Sequence, residues 1–142
     1  MNRLTDKDFL MIYSKVPRLC IDLIIETGKG ILYTKRSISP YNGKWHLPGG
    51  TVLFNETLEH AAKRISKREL GVAVKNLRQL GVIEYPNEGK TKRHTVAVVF
   101  SAKIESRKIN LNKEAKEVIF FKKIPKNTVA DQKKFIKKHV SK

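Results

Sequence analysis

Cysteine is nearly absent from this chain: its 142 residues include one, Cys20. A lone cysteine can form neither an internal disulfide nor a cysteine-based zinc site, so the chain reads as one suited to a reducing cytoplasm. Long apolar runs are also missing. No stretch reaches the length that spans a bilayer, so no membrane partner is expected. Residues 1–9 carry charges where a secretory signal would be apolar. Acidic residues are few, 13 against 30 Lys and Arg, which leaves a net charge of +17. There is no internal repeat, no linker-like stretch and no aromatic-rich RNA-binding motif.

Hydrophobic residues make up 40% of the chain, enough for one packed core, and residues 1–142 read as a single domain. The excess positive charge attracts polyanions such as nucleotides or nucleic acid. Part of it is local: residues 122–142 hold eight lysines and one acid, Asp131. We read this as a solvated helix rather than a nucleic-acid surface, because phosphate recognition needs placed residues as well as charge.

Residues 6–15 predict an amphipathic helix with Phe9, Ile12 and Tyr13 on one side, ended by Pro17. A hairpin follows, with strands 18–26 and 31–35 around Gly28-Lys29-Gly30. Residues 37–44 read as a loop, 45–47 as extended, 48–50 as a sharp bend and 51–54 as extended again. Asn55 is a candidate cap for a helix over 57–70, which Gly71 stops. Residues 72–85 suggest two short strands broken at Gly81, and 86–93 a polar loop. The strand expected over 94–104 puts Val96, Val98 and Phe100 on one face. Another strand is expected over 118–121 and a last helix over 131–140. Strands around one central helix imply a mixed α/β (α+β) layer arrangement.

The informative stretch is 49–72. Paired glycines let a backbone approach a phosphate or a metal closely, and a helix starting just after them points its positive end near that loop. Ala61, Ile65 and Glu69 form one helix row, so Glu69 projects beside two small or apolar residues. A carboxylate there, near the Gly49 carbonyl, makes a corner suited to Mg²⁺. Glu56 and Arg64 are eight apart, about two turns, and can pair across the helix start.

This run resembles a Nudix box: Gly50, Glu56, Arg64, Glu69, Gly71 and Val72 match its pattern at the required spacing. Ile65, Ser66 and Arg68 depart from it, and two of the usual metal-site carboxylates are thereby lost. The GDP-mannose mannosyl hydrolases, a Nudix subgroup, lack the same two. The likeness to them continues through Leu4, Asp8-Phe9, Pro17, Asp22-Leu23-Ile24, Lys35-Arg36, Pro40, Gly43, Trp45, Glu56-Thr57-Leu58-Glu59 and His94. It covers about the first hundred residues and weakens afterwards.

The resemblance implies a Nudix α/β/α sandwich with a mixed sheet. It also implies hydrolysis of a nucleotide sugar at the sugar's anomeric carbon, releasing nucleoside diphosphate and sugar. One Mg²⁺, with Mn²⁺ as an alternative, would be held by Glu69, the Gly49 carbonyl and Glu114. Arg36 would support the leaving diphosphate and Arg64 would do structural or phosphate work. Asp22 and His94 would contact the sugar or its phosphate. Two departures stand out: Thr51 replaces an arginine of the resembling group, and Ala115 stands where that group carries its basic histidine. His46, His60 and Trp45 read as structural, and Lys35 as a partner of Arg36 in phosphate binding. A homodimer is compatible with the sequence. The alternatives are a nucleoside-diphosphate-X pyrophosphohydrolase using Glu69, Glu114 and Glu117, and a non-catalytic nucleotide or RNA binder that retains the fold.

Overall fold

The computed structural model describes residues 3–37, 41–88, 93–105 and 115–140, with the backbone alone at Asn87, Ala115 and Lys116. Among these residues, three helices and seven strands run in order as α1 (Asp6–Tyr13), β1 (Arg18–Thr27), β2 (Gly30–Arg36), β3 (Trp45–His46), β4 (Gly49–Thr51), α2 (Leu58–Leu70), β5 (Val74–Glu88), β6 (Arg93–Ile104), β7 (Ala115–Phe121) and α3 (Ala130–His139). The sheet runs β3-β2-β1-β6-β5, with β4 pairing β1 and β7 pairing β2. The pairing of β1 with β6 is parallel and the other ladders are antiparallel, so the sheet is mixed.

β1 is the centre, and its alternation sorts the core into two layers. Ile21, Leu23 and Ile25 pack with Ala61, Ala62, Ile65 and Leu70 of α2. Cys20 and Ile24 face the other way, with Ala97, Val99, Tyr85 and α3 residues Phe135 and Ile136. Helices thus cover both faces, which is the expected α/β/α sandwich. Double coverage explains why β1 reads as a nearly continuous apolar run. It also refines the expectation for β6. Val98 and Phe100 do share the α2 side, but Ala97 and Val99 on the opposite side are fully buried as well.

Three local expectations change. The bend anticipated over 48–50 is partly strand: Gly49, Gly50 and Thr51 pair with Asp22, Ile21 and Cys20. Glycine permits this, because a Cβ on Gly49 would sit 2.5 Å from both Asp22 Oδ1 and the Ile21 carbonyl. The cap of α2 is Thr57, whose hydroxyl accepts from the His60 N–H, while Asn55 takes a left-handed turn two residues earlier (φ 64°). Gly71 ends α2 at φ 69°, as expected of a C-terminal glycine. β5 is one strand, with Gly81 absorbing a register shift instead of breaking it. It continues to Glu88, opposite Arg93, so 86–88 and 93 of the loop expected over 86–93 are strand, while 89–92 lie outside the described residues.

α1 buries none of its residues. It is held instead through Phe9, which lies beneath the guanidinium carbons of Arg18 at 5.6 Å and Arg93 at 5.4 Å and packs edge-on to Tyr13.

Candidate active site

Among the described residues β4 pairs with β1 alone, so the Gly49–Thr51 segment forms a sheet edge. α2 hangs over it from one side. Gly50 lies directly under that helix: a Cβ there would meet Ile65 Cγ1 and Arg68 Nη2, each at 3.2 Å. A cavity of about 800 Å³ opens along this edge, within the range that holds nucleotide-sized ligands. Its lining includes six arginines (3, 18, 36, 64, 68 and 93) against four acids (Asp6, Asp22, Glu69 and Glu88). The balance is positive before any ligand arrives.

The geometry assigns these groups different work. Arg64 is committed. Its Nε and Nη2 donate to Glu56 at 2.7 and 2.9 Å, and Nη2 also donates to the Thr51 carbonyl at 2.8 Å. The expected Glu56–Arg64 pair is therefore present, and it fastens the β4 edge to α2. Glu56 accepts further bonds from the Leu53 N–H and His60 Nδ1, and its side chain is fully buried. The Arg64 guanidinium beside it holds its carboxyl down at about 2.

Arg18 fills a gap in the resemblance. Thr51 stands where that pattern carries an arginine, and Arg18 Nη1 reaches the Thr51 hydroxyl from the neighbouring strand at 2.8 Å. Its Nη2 also lies 3.3 Å from the Thr95 hydroxyl and 3.8 Å from Glu88.

Asp22 lines the cavity, is 7% exposed, and lies against Gly49. The Tyr85 hydroxyl donates to its Oδ2 at 2.6 Å. Burial pushes its carboxyl up to about 6 despite that bond, with Glu88 adding to the rise. A group titrating there is charged at neutral pH yet still able to accept a proton.

The other expected site residues divide. Gly49, Arg36 and Glu69 line the cavity with Asp22 and Arg64. Glu114 lies outside the described residues; its neighbour Ala115 pairs with Arg36 across the β2–β7 ladder. His94 is not brought in. It is exposed, while Arg93 and Thr95 on either side of it line the cavity, so strand alternation turns the histidine away from the site. Lys35 also leaves the phosphate reading, since it pairs with Glu117 at 3.9 Å and lies 5.6 Å from the Trp45 ring centre. Trp45 packs edge-on to Phe121 at 5.1 Å, a core role. His46 is structural: Nδ1–H donates to the Leu47 carbonyl at 2.7 Å, so Nε2 accepts from the Thr34 hydroxyl at 3.0 Å. Burial holds its imidazole down at about 4.

Arg18, Arg68, Arg93, Tyr85 and Glu88 were not singled out by sequence reasoning. Parity offered a signal for one of them, since Arg18 lies on the same strand face as Cys20 and Asp22. Arg68 appeared only as a mismatch in the motif. Its Nη2 lies 3.1 Å from Glu69 Oε1. The one carboxylate that the motif retains at the end of α2 therefore already has a cation on it. Among the described residues no three His, Cys, Asp or Glu side chains gather to hold a metal. The described donors, a Glu69 already held by Arg68 and the Gly49 carbonyl, do not by themselves fit a divalent cation.

Comparison with known proteins agrees with this geometry in kind. The family model described as NUDIX domain matches residues 16–139. The low-salt glycan biosynthesis protein Agl8 of Haloferax volcanii is 32% identical over 124 residues, covering 84% of this chain and 80% of that protein. The ADP-ribose pyrophosphatase of Methanocaldococcus jannaschii is 34% identical over 126 residues, covering 87% and 73%. A crystal structure of a MutT NUDIX hydrolase from Burkholderia pseudomallei superposes with a TM-score of 0.81 at 26% identity, covering 89% of this chain and all of that one.

Proposed function

This chain belongs to the NUDIX family and is a Nudix-type hydrolase, and from that premise we propose that it hydrolyses a nucleotide sugar, GDP-mannose-like in its diphosphate and hexose parts. The observation that carries the reading is the arginine-lined cavity over the Gly49–Thr51 edge, joined to a motif that retains Glu69 but has Ile65 and Arg68 where carboxylates are usual. Such a lining complements the two charges of a diphosphate, and guanidinium forks match phosphate oxygens. The likeness to a glycan biosynthesis protein supports a sugar-bearing substrate.

In this reaction water adds to the anomeric carbon. The bond from that carbon to the β-phosphate oxygen breaks, and its electron pair leaves on the nucleoside diphosphate. Arg36 and its cavity neighbours stabilise the charge that develops on the departing oxygens. Asp22, beside Gly49 and titrating near 6, is the cavity carboxylate best tuned to take the proton of the attacking water. Nudix hydrolases generally use divalent metals. Since the described donors do not fit one, no step here is assigned to a metal.

A second reading has its own support. The archaeal ADP-ribose pyrophosphatase is 34% identical, and attack at phosphorus would cleave a nucleoside-diphosphate-X to a nucleoside monophosphate. Turnover of GDP-mannose and ADP-ribose in ¹⁸O-water separates the two. Carbon attack places the label in the sugar. Label confined to a phosphate would overturn the sugar-carbon reading and favour the pyrophosphohydrolase.

A further inference from the structure

We propose that Arg68 does the work of a divalent cation in this site, so that the chain binds a nucleoside diphosphate through its own guanidinium groups and without metal. The inference deepens the reading above and rests on its premise that a diphosphate is the ligand.

Four observations carry it. First, Arg68 reaches the Gly49–Thr51 edge closely: Nη2 lies 3.2 Å from where a Cβ on Gly50 would stand, so a side chain there would crowd it. Second, the same Nη2 lies 3.1 Å from Glu69 Oε1. A cation added at Glu69 would face a fixed positive charge at contact distance, where like charges repel most strongly. Third, Arg68 lines the cavity and its side chain is 31% exposed, so the guanidinium is within reach of a ligand. A planar guanidinium there can donate to phosphate oxygens from the edge that Glu69 does not occupy. Fourth, among the described residues no three His, Cys, Asp or Glu side chains gather where an ion could sit.

Glu69 then acquires a different role. It orients the Arg68 guanidinium instead of binding metal, leaving the other edge of a planar group for phosphate. Metal use in this chemistry serves to neutralise a developing diphosphate charge, and an arginine positioned in advance can supply the same positive charge.

The test uses the full chain. Mn²⁺ titration followed by electron paramagnetic resonance reads metal binding directly. Calorimetric titration with GDP and with ADP, in EDTA and in Mg²⁺, reads diphosphate binding. For the natural chain we expect no stoichiometric Mn²⁺ site in the micromolar range, and nucleotide affinities that agree within about twofold with and without metal. Arg68→Ala should weaken nucleotide binding in EDTA by about tenfold or more, the scale of one charge-assisted bond. Arg68→Glu sets a second carboxylate beside Glu69, and it should gain an Mn²⁺ site and make nucleotide binding depend on metal. Circular dichroism checks that both variants are folded, which the partly exposed position of Arg68 favours. Micromolar Mn²⁺ binding by the natural chain would overturn the proposal, as would unweakened GDP binding by Arg68→Ala in EDTA. If neither nucleotide binds under any condition, the diphosphate reading fails. The Mn²⁺ titrations still decide the role of Arg68: a silent natural chain beside a binding Arg68→Glu upholds it, and any other pair of results rejects it.

Discussion

Glu56→Gln should cost this protein stability rather than chemistry. The Glu56 side chain is fully buried and accepts from Arg64 at 2.7 and 2.9 Å, from His60 at 2.8 Å and from the Leu53 N–H at 3.0 Å. Its carboxyl is held at about 2 against an ordinary 4.5. A depressed carboxylate contributes stability above its unfolded pKa and loses it as pH falls through the folded one. At about 1.4 kcal/mol per pKa unit, that contribution is on the order of 3 kcal/mol at pH 7 and disappears between about pH 4.5 and 2. Breaking a buried charge pair from one side costs about 3–5 kcal/mol, which agrees. The glutamine replaces an accepting oxygen with an N–H₂ group facing Arg64, and a drop of roughly 10 °C in Tm follows for a chain of this size. Urea denaturation of both proteins at several pH values measures it. The natural chain should lose stability across the acid window, while the variant starts lower at pH 7 and shows a flatter acid limb. A variant within about 0.5 kcal/mol of the natural chain at pH 7, the ordinary scatter of surface substitutions, would refute the argument that this pair fastens α2 to the β4 edge.

Asp22 should behave in the opposite sense. Its raised carboxyl means that the folded protein holds the proton to higher pH, so the contribution of Asp22 to stability is greatest below about pH 4 and declines as pH rises to about 6. Asp22→Asn removes a buried charge, keeps an acceptor for Tyr85, and should gain on the order of 3 kcal/mol at pH 7 with no such decline. If Asp22 takes the proton of the attacking water, the same variant should lose about a hundredfold or more in turnover. The natural chain's activity should also fall below about pH 6. A stabilised variant with full activity would keep the electrostatics and reject the catalytic assignment. Gly71→Ala forces a Cβ into the left-handed conformation that ends α2 at φ 69°, and should cost about 1 kcal/mol in a denaturant titration. An unchanged midpoint would mean that the helix end is not held there.

Whatever depends on helical period was readable in advance. Glu56 and Arg64 are eight apart, about two turns across the helix start, and the pair is found where that spacing puts it. The stop at Gly71 and the two-sided burial of β1 follow from equally local rules. The errors arise where pairing is long-range. Two adjacent glycines read as a bend when considered alone, and only the approach of β1 makes them an edge strand. His94 fails by one residue: alternation gives the cavity Arg93 and Thr95, and a register judged without its partner strand has no fixed parity. The cavity itself gathers Arg18, Asp22, Tyr85 and Arg93 from three strands, a convergence no window of sequence displays.

Arg68 differs from these cases because it was visible throughout and was counted as a loss. Judged against a motif, its arginine is a missing carboxylate. In the fold it is a positive charge laid over Gly50 and against Glu69. Replacing an acid by a base at such a point changes the local charge by two. That is also the charge of the divalent ion the acid would have helped to hold. A departure from a catalytic pattern therefore requires the same physical accounting as a match to it. Here the departure leaves the cavity more positive, which favours a diphosphate as the ligand and leaves the metal less to do.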